Sequence, residues 1–464
     1  MDDLVFLSAA ELARRIQKRD ISAVEVLDAY LGQIARYNPA VNAIVTLDVE
    51  RARQRARAAD AALAHGELWG PLHGVPVTIK DSIQTAGLRT TAGHPPLADH
   101  VPAEDATVVA RLRAAGAIIL GKTNLPPMSS GMQTDNLLFG RTNNPWDLER
   151  TVGGSTGGGA AAVAAGMSPL TIGADFGGSI RNPAHYCGVF GLKPTEHRVP
   201  KTGHIPPLPG VLTPLRHMLV IGPLARSVGD LQLALSIVAG PDRREWEVPP
   251  VPLLPVRERP LATLRLAWTD RFDRAPVSEE TRAALTHLAD GLTGRGCRVE
   301  RRMVPDYDED IVLQTYRELG AAMRPAEPVS PAAAVVKAPE REMQPYSTAL
   351  EQRDALIAAF ETFFGEWDAL LCPVAAVPAF PHCPADTPID VDGTPVPYRV
   401  AGTSFAIPFN VTGHPAVVLP LTRSRDGLPI GVQVVGRRWG EMKLLAIAAQ
   451  LAEVIGPFQR PPGY

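Results

Sequence analysis

Three short stretches of this 464-residue chain place side chains capable of nucleophilic chemistry next to backbone able to stabilise charge. The first is GVPVTIKDSI, 74 to 83, in which Lys80 closes an apolar, β-branched run. An amine carried into such a strand is desolvated, its pKa falls from about 10.4, and its neutral form can take a proton. Lysine is scarce, with Lys18, Lys80, Lys122, Lys193, Lys201, Lys337 and Lys443 set against 46 basic residues in all. The competing reading is that Lys80 snorkels to the strand end or pairs with Asp81. The second stretch is VGGSTGGGAAAVAAG, 152 to 166, a glycine-rich turn that carries Ser155 and Thr156 and opens a helix of small residues. The third is TIGADFGGSIRNPA, 171 to 184, a short strand followed by Gly177, Gly178 and Ser179, then an extended segment set by Asn182-Pro183. Consecutive glycines let backbone N–H groups converge beside the Ser179 hydroxyl, as an oxyanion hole requires. Taken alone, the same residues describe a tight turn with a capping serine.

Nucleotide chemistry fits the glycine-rich stretch poorly. A phosphate-binding P-loop needs Gly-Lys-Ser/Thr, and no lysine follows these glycines. Gly157, Gly159 and Ala162 match the G-x-G-x-x-A dinucleotide pattern, with Asp175 at a plausible distance, but WDLERTVGGST is not a buried strand running into the turn. A serine nucleophile instead needs a base and an oriented intermediary, and Lys80, Ser155 and Ser179 supply all three roles without histidine.

The elements that must hold these residues are legible in outline. Ser8-x-x-Glu11 and Ser22-x-x-Glu25 read as capping boxes, each opening an amphipathic run, so residues 1–65 form a largely helical N-terminal part. From 66 to 240, strands VPVTI (75 to 79) and AIIL (117 to 120) flank a helix from about 105 to 115, an alternation that predicts crossover units and a mostly parallel sheet. A proline-rich connector, 245–260, leads to a second part, 261–464, where LRLAW, a helix near 278 to 293 and CRVE repeat the rhythm. A cap insertion is expected near 305–350, its Pro- and Ala-rich heart at 325 to 345, within one domain spanning 1–464.

Composition narrows the function classes. Formal net charge is −3, with 45% hydrophobic and 20% charged residues and no long block of one sign, which leaves no footprint for nucleic acid or an anionic membrane. The uncharged stretch from 151 to 174 is full of Gly, Ser and Thr and reads as loop, helix and strand, not a membrane span. The start, MDDLVFLSAAEL, lacks a basic region ahead of an apolar run, so a cytoplasmic location is expected. Cys187, Cys297, Cys372 and Cys383 are widely spaced, which argues against disulfides, and His382 beside Cys383 has no second pair to complete a metal site. No metal is expected.

The chain resembles the amidase signature family. The likeness runs through PLHGVPVTIKDSI, GKTNLP, FGRTNNPWDLERTVGGSTGGGAAAVAAG, GADFGGSIRNPAHYCGVFGLKPT, PFNVTGHPAVVLP and DGLPIGVQVVG, in this order over most of the chain. The resemblance implies an α/β fold with a large twisted mixed sheet, mostly parallel, flanked by α-helices on both faces. It implies Lys80 as base, Ser155 as the bridging serine after a cis peptide bond, and Ser179 as the nucleophile that forms an acyl-enzyme. Backbone N–H groups of Phe176, Gly177, Gly178 and Ser179 would hold the oxyanion, Thr156 would orient Lys80, and Asp175 and Arg181 would brace the turn as an ion pair. No cofactor is implied.

Departures from the family pattern bear on the substrate. The family's amidotransferase member carries Thr where this chain has Phe176, and Asn182 and Glu196-His197 also differ, which argues for a freestanding amidase. Pro127-Met128 stands where an acidic residue followed by an aromatic or small one is commoner, and Met128 and Met132 with Phe176 are candidates to line an apolar acyl or aryl pocket, though methionines are more often plain core. The expected function is hydrolysis of small apolar or aryl amides and anilides, with carbamates (urethanes) and esters as side or main substrates. The alternatives are a catalytically silent binding protein of the same fold and a glutamine-hydrolysing amidotransferase subunit. The expected partner is a small-molecule amide, and a homodimer is left open.

Overall fold

A computed structural model describes residues 4–206, 216–272, 275–303, 308–322 and 343–464. One eleven-stranded sheet organises them, its strands neighbouring one another in the order Ile44–Leu47, Ile118–Thr123, Pro76–Lys80, Leu170–Asp175, Val220–Ala225, Phe190–Lys193, Ala416–Arg423, Pro429–Val435, Ala369–Pro373, Arg265–Trp268 and Arg298–Arg301. The strands nearest the chemistry are buried at every residue: Pro76–Lys80, Ile118–Thr123, Leu170–Asp175 and Val220–Ala225. Continuous apolar runs bounded by turns are what such strands require. The fold is α/β with a mixed sheet flanked by helices, as the sequence implies.

The expected mostly parallel pairing describes two runs only. Pro76–Lys80 lies parallel to Ile118–Thr123 and Leu170–Asp175, and Arg265–Trp268 lies parallel to Ala369–Pro373 and Arg298–Arg301. The strands between these runs pair antiparallel, as does the edge strand Ile44–Leu47. The physical reason is clearest at Ala416–Arg423 and Pro429–Val435, which a short turn with Gly427 at φ +79° joins as a hairpin, too short for a crossover.

The N-terminal helices begin where the serines predict. Ser22 and Glu25 form the full reciprocal box. Ser8 accepts from Glu11 N–H, but the Glu11 carboxylate turns to Arg14 and Arg15, and Asp230 from a distant helix caps Ala9 and Ala10 instead. Residues 251 to 260 contain no regular element. Of the expected cap, 304–307 and 323–342 lie outside the described residues. What is described there is helical: Glu309–Ala322 and Met343–Glu366 pack together, and Val312, Leu319, Ala349 and Leu356 share a cluster with Ile407 and Val411. No helix among the described residues is long and apolar enough to cross a membrane.

Candidate active site

Lys80 and Asp175 end two parallel, adjacent strands, so both emerge at the same edge of the sheet, where open α/β sheets place their ligands. Ser155 and Thr156 enter that edge from the side, in the turn before the helix Gly157–Ala164. This helix is wholly buried, and glycine is what lets it lie against its neighbours: a Cβ on Gly158 would collide with the Asn124 backbone nitrogen. The strand before it, Asp147–Thr151, belongs to a separate two-stranded pair, so no dinucleotide-type crossover is present here. The peptide bond Gly154–Ser155 is cis.

Lys80 Nζ lies 2.6 Å from Ser155 Oγ and 3.1 Å from Thr156 Oγ1, all three side chains being buried. Burial pushes the amine down to about 7, against the opposing charge of Asp175. The partners assign the protons. Thr156 donates its hydroxyl hydrogen to Ala174 O at 3.2 Å, so towards Lys80 it accepts. Ser155 has no competing partner among the described residues, so it can donate to the lone pair of a neutral amine.

Burial alone does not single out this lysine. Lys122 is as buried and is shifted to about 8, by burial first and with Asp81 and Asp105 opposing. Its Nζ meets three acceptors: Ile83 O, Thr85 Oγ1 and Thr90 Oγ1. Both threonines donate to carbonyls of their own turn, so Lys122 must supply three hydrogens and is held as an ammonium. Lys193, lowered to about 7 chiefly by burial, donates to Pro194 O at 3.0 Å. Lys80 is the buried lysine whose amine touches a hydroxyl free to donate.

The turn carrying Ser179 is braced from below. Asp175 Oδ1 accepts from Gly178 N–H at 2.8 Å, and Oδ2 from Ile180 N–H at 3.0 Å. Arg181 meets both oxygens at 3.0 Å and continues to Ala406 O, Gln433 and Asn410, with no member of the pair exposed. Burial raises the Asp175 carboxyl, but the Arg181 charge and the hydrogen bonds of Arg181 and Asn410 outweigh it and hold the group well below the usual carboxylate range. Of the four expected oxyanion donors, Gly178 N–H is thus already bonded within the turn. Phe176, Gly177 and Ser179 N–H remain without a hydrogen bond among the described residues. Gly178 adopts φ +111°, which a side chain would resist. Ser179 is partly exposed, and its Oγ makes no hydrogen bond among the described residues. The two turns are tied through the backbone, where Thr156 N–H donates to Ser179 O at 3.1 Å.

The apolar candidates divide. Phe176 packs its ring 5.4 Å from that of Tyr316 in the helix Glu309–Ala322, and a Cβ on Gly177 would lie 2.8 Å from the Tyr316 hydroxyl oxygen. Met132 reaches the far wall, since a Cβ on Gly402 would collide with its Cε, and the backbone of 131 to 133 lies on Gly154. Met128 is half-buried, with φ +52° and its N–H on Ala92 O. Tyr316, Asn410 and Gln433 were not singled out by sequence. Asn410 and Gln433 lie inside the late motifs PFNVTGHP and GLPIGVQVVG, whereas Tyr316 carries no such signal. Among the described residues one trio of ligand type, His197, Glu245 and Glu247, brings its atoms within 4.8 Å, but Lys201 already occupies Glu245 at 2.9 Å. It excludes His382 and Cys383.

With this geometry in view, the comparisons are specific. Residues 25–445 match the family model Amidase. The chain is 34% identical to the A-type subunit of a glutamyl-tRNA(Gln) amidotransferase from Salinispora arenicola (strain CNS-205), over 99% of this chain and 100% of that protein. It is 36% identical to an indoleacetamide hydrolase of Bradyrhizobium diazoefficiens, over 97% and 86% respectively. A solved bacterial aryl acylamidase of the amidase signature enzymes superposes with a TM-score of 0.81 at 26% identity, covering 97% of this chain and 96% of that one. The hydroxyl-bound lysine, the glycine-rich turns and the full-length match agree: the chain belongs to the amidase family, the amidase signature hydrolases.

Proposed function

We propose that the protein is a freestanding serine amidase acting on small amides with apolar or aryl parts, carbamates and esters included. Ser179 Oγ attacks the carbonyl carbon while its proton passes through Ser155 to neutral Lys80. The tetrahedral oxyanion is held by the N–H groups of Phe176, Gly177 and Ser179. The C–N bond breaks as the proton returns through Ser155 to the leaving nitrogen. Water then repeats the cycle on the acyl-enzyme, releasing the acid and restoring Ser179.

One observation carries the reading: the buried Lys80 amine, 2.6 Å from Ser155 Oγ, with its other bond to an accepting Thr156. The Phe176–Tyr316 pair and Met132 support an apolar or aryl substrate, as do the indoleacetamide and aryl acylamide activities named for two relatives. The test is a panel of aryl amides, carbamates, esters and glutamine with product analysis, together with mass spectrometry of the acyl-enzyme. Release of acid with a transient acyl group on Ser179 is the expected result, and turnover without that adduct overturns it. The alternative, a component of an amidotransferase, is favoured by the 34% identical relative from Salinispora arenicola, and glutaminase activity appearing only with partner proteins would select it. Absence of any acylation would select the silent binding protein. We place the enzyme in the cytoplasm as a single catalytic unit, consistent with four unpaired cysteines.

The amine sets the pH dependence. Neutral Lys80 is the active form and burial brings its pKa to about 7, so kcat/KM rises about tenfold per pH unit below that value and levels off above it. A profile flat from pH 5 to 8 removes the lysine base. Thr156→Val, which deletes the acceptor that orients the amine, lowers kcat roughly tenfold and leaves KM within about twofold in steady-state assays; an unchanged kcat shows that Thr156 does not orient Lys80.

A further inference from the structure

Asn182, three residues past the nucleophile, is 2% exposed and lies directly over the catalytic turn. Its backbone N–H bonds Gly178 O at 2.8 Å, and a Cβ on Gly178 would lie 3.1 Å from both side-chain polar atoms. Its Nδ2 donates to Gly402 O at 2.5 Å, and because a carbonyl only accepts, this bond identifies which side-chain atom is the oxygen. That oxygen, Oδ1, is buried and has no hydrogen-bond partner among the described residues. A desolvated acceptor left unpaired is costly, and the cost is recovered when a donor arrives.

The surroundings say which donor fits. The next residue, Pro183, packs against Gly153, so Asn182 stands beside the turn that presents Ser155. Ser155 must protonate the leaving nitrogen, whose lone pair therefore faces its hydroxyl. Any hydrogen already on that nitrogen then points away from Ser155. Met132, against Gly402, adds an apolar side chain to this wall and no donor. We propose that Asn182 is a specificity-determining residue whose Oδ1 accepts the N–H of the scissile nitrogen, selecting primary and N-monosubstituted amides and N–H carbamates over esters and N,N-disubstituted amides. A site built around a buried acceptor penalises an analogue that lacks the matching hydrogen. The inference rests on the Ser179 acyl-enzyme reading and names the substrate class within it.

The test compares a 4-nitroanilide, its N-methyl counterpart and the 4-nitrophenyl ester of one aryl-acetic acid, on the wild type and on Asn182→Ala and Asn182→Leu, the second filling the space without an acceptor. In both variants the ratio of kcat/KM for anilide over ester is expected to fall ten- to a hundredfold, and the ratio of anilide over N-methylanilide to fall likewise. Because intrinsic reactivity cancels in these ratios and ester turnover reports folded enzyme, ratios unchanged within threefold overturn the proposal. A Ser179→Ala crystal soaked with the anilide decides the case even where both variants misfold: a scissile nitrogen within 3.2 Å of Asn182 Oδ1 supports the proposal, and one beyond 4 Å overturns it. Mass spectrometry separates the two levels. A Ser179 acyl adduct from the ester with unchanged ratios removes only the role of Asn182, whereas no adduct from any substrate removes the underlying reading and this inference together.

Discussion

Alanine at Lys80, Ser155 or Ser179 is expected to lower kcat/KM by about 10⁴-fold or more, and each pair of replacements to cost little beyond the worse single one. The reason is the proton path. Among the described residues the Lys80 amine bonds two hydroxyls, and Thr156 is committed to Ala174 O, which leaves Ser155 as the relay. With any member gone, the remaining groups cannot act as a base for one another, so their effects overlap. Binding is expected to survive, because Lys80 is fully buried and Ser155 exposes about 1%, so the pair offers a bound substrate little more than the Ser155 hydroxyl. Steady-state kinetics with a chromogenic anilide, backed by binding of the unreacted substrate to Ser179→Ala, checks both parts. Lys80→Ala with most of its activity intact, or singles whose losses multiply in the doubles, would show that the three do not work as a unit.

The second large effect is on stability. Arg181→Met is expected to cost about 3 to 5 kcal/mol, measured by urea unfolding, because it leaves the Asp175 carboxylate buried without its counter-charge. Arg181 touches Asp175, Gln433, Asn410 and Ala406 O, so its removal also strands several acceptors. The pH dependence has a definite sign. In the wild type the folded Asp175 carboxyl titrates below its unfolded value of about 3.9, so its contribution is present above that pH and is lost as pH falls through the folded value. In the variant burial is no longer outweighed, the carboxyl titrates upward, and protonation relieves the penalty. The gap between variant and wild type should therefore narrow from pH 7 to pH 4.5. A gap that stays constant, or an unfolding free energy within about 1 kcal/mol of the wild type at pH 7, would mean the pair is not the brace of this turn.

Much of the scaffold was readable because its signals are local. Ser22 and Glu25 form the reciprocal cap their spacing predicts, the strands Pro76–Lys80, Ile118–Thr123 and Arg265–Trp268 fall on the apolar runs, and the helix Glu279–Thr293 falls on its periodic segment. The failures come from long-range choices. Glu11 had the right spacing for a box, yet two arginines one turn away attract its carboxylate more strongly, and Asp230, 221 residues on, reaches the Ala9 N–H. Ile44–Leu47 is a four-residue edge strand that pairs antiparallel along Ile118–Thr123. The antiparallel centre of the sheet depends on which strands meet, and alternation along the chain does not encode that.

Sequence by itself determined the chemistry available: a lysine at the end of an apolar strand, two hydroxyl-bearing glycine turns, and their order along the chain. These are properties of residue type and neighbourhood, so no fold was needed to see them. Tertiary structure alone separated the buried lysines, because Lys80 meets a hydroxyl that can still donate, whereas Lys122 meets a carbonyl and two hydroxyls that already donate elsewhere. It also decided that Gly178 N–H serves Asp175 and that Asn182 Oδ1 has no hydrogen-bond partner among the described residues. Lys80 meets Ser155 and Asn182 meets Gly402 across 75 and 220 residues of chain, while Gly178 meets Asp175 within one turn; in each case the direction of the hydrogen bond is a property of three-dimensional placement.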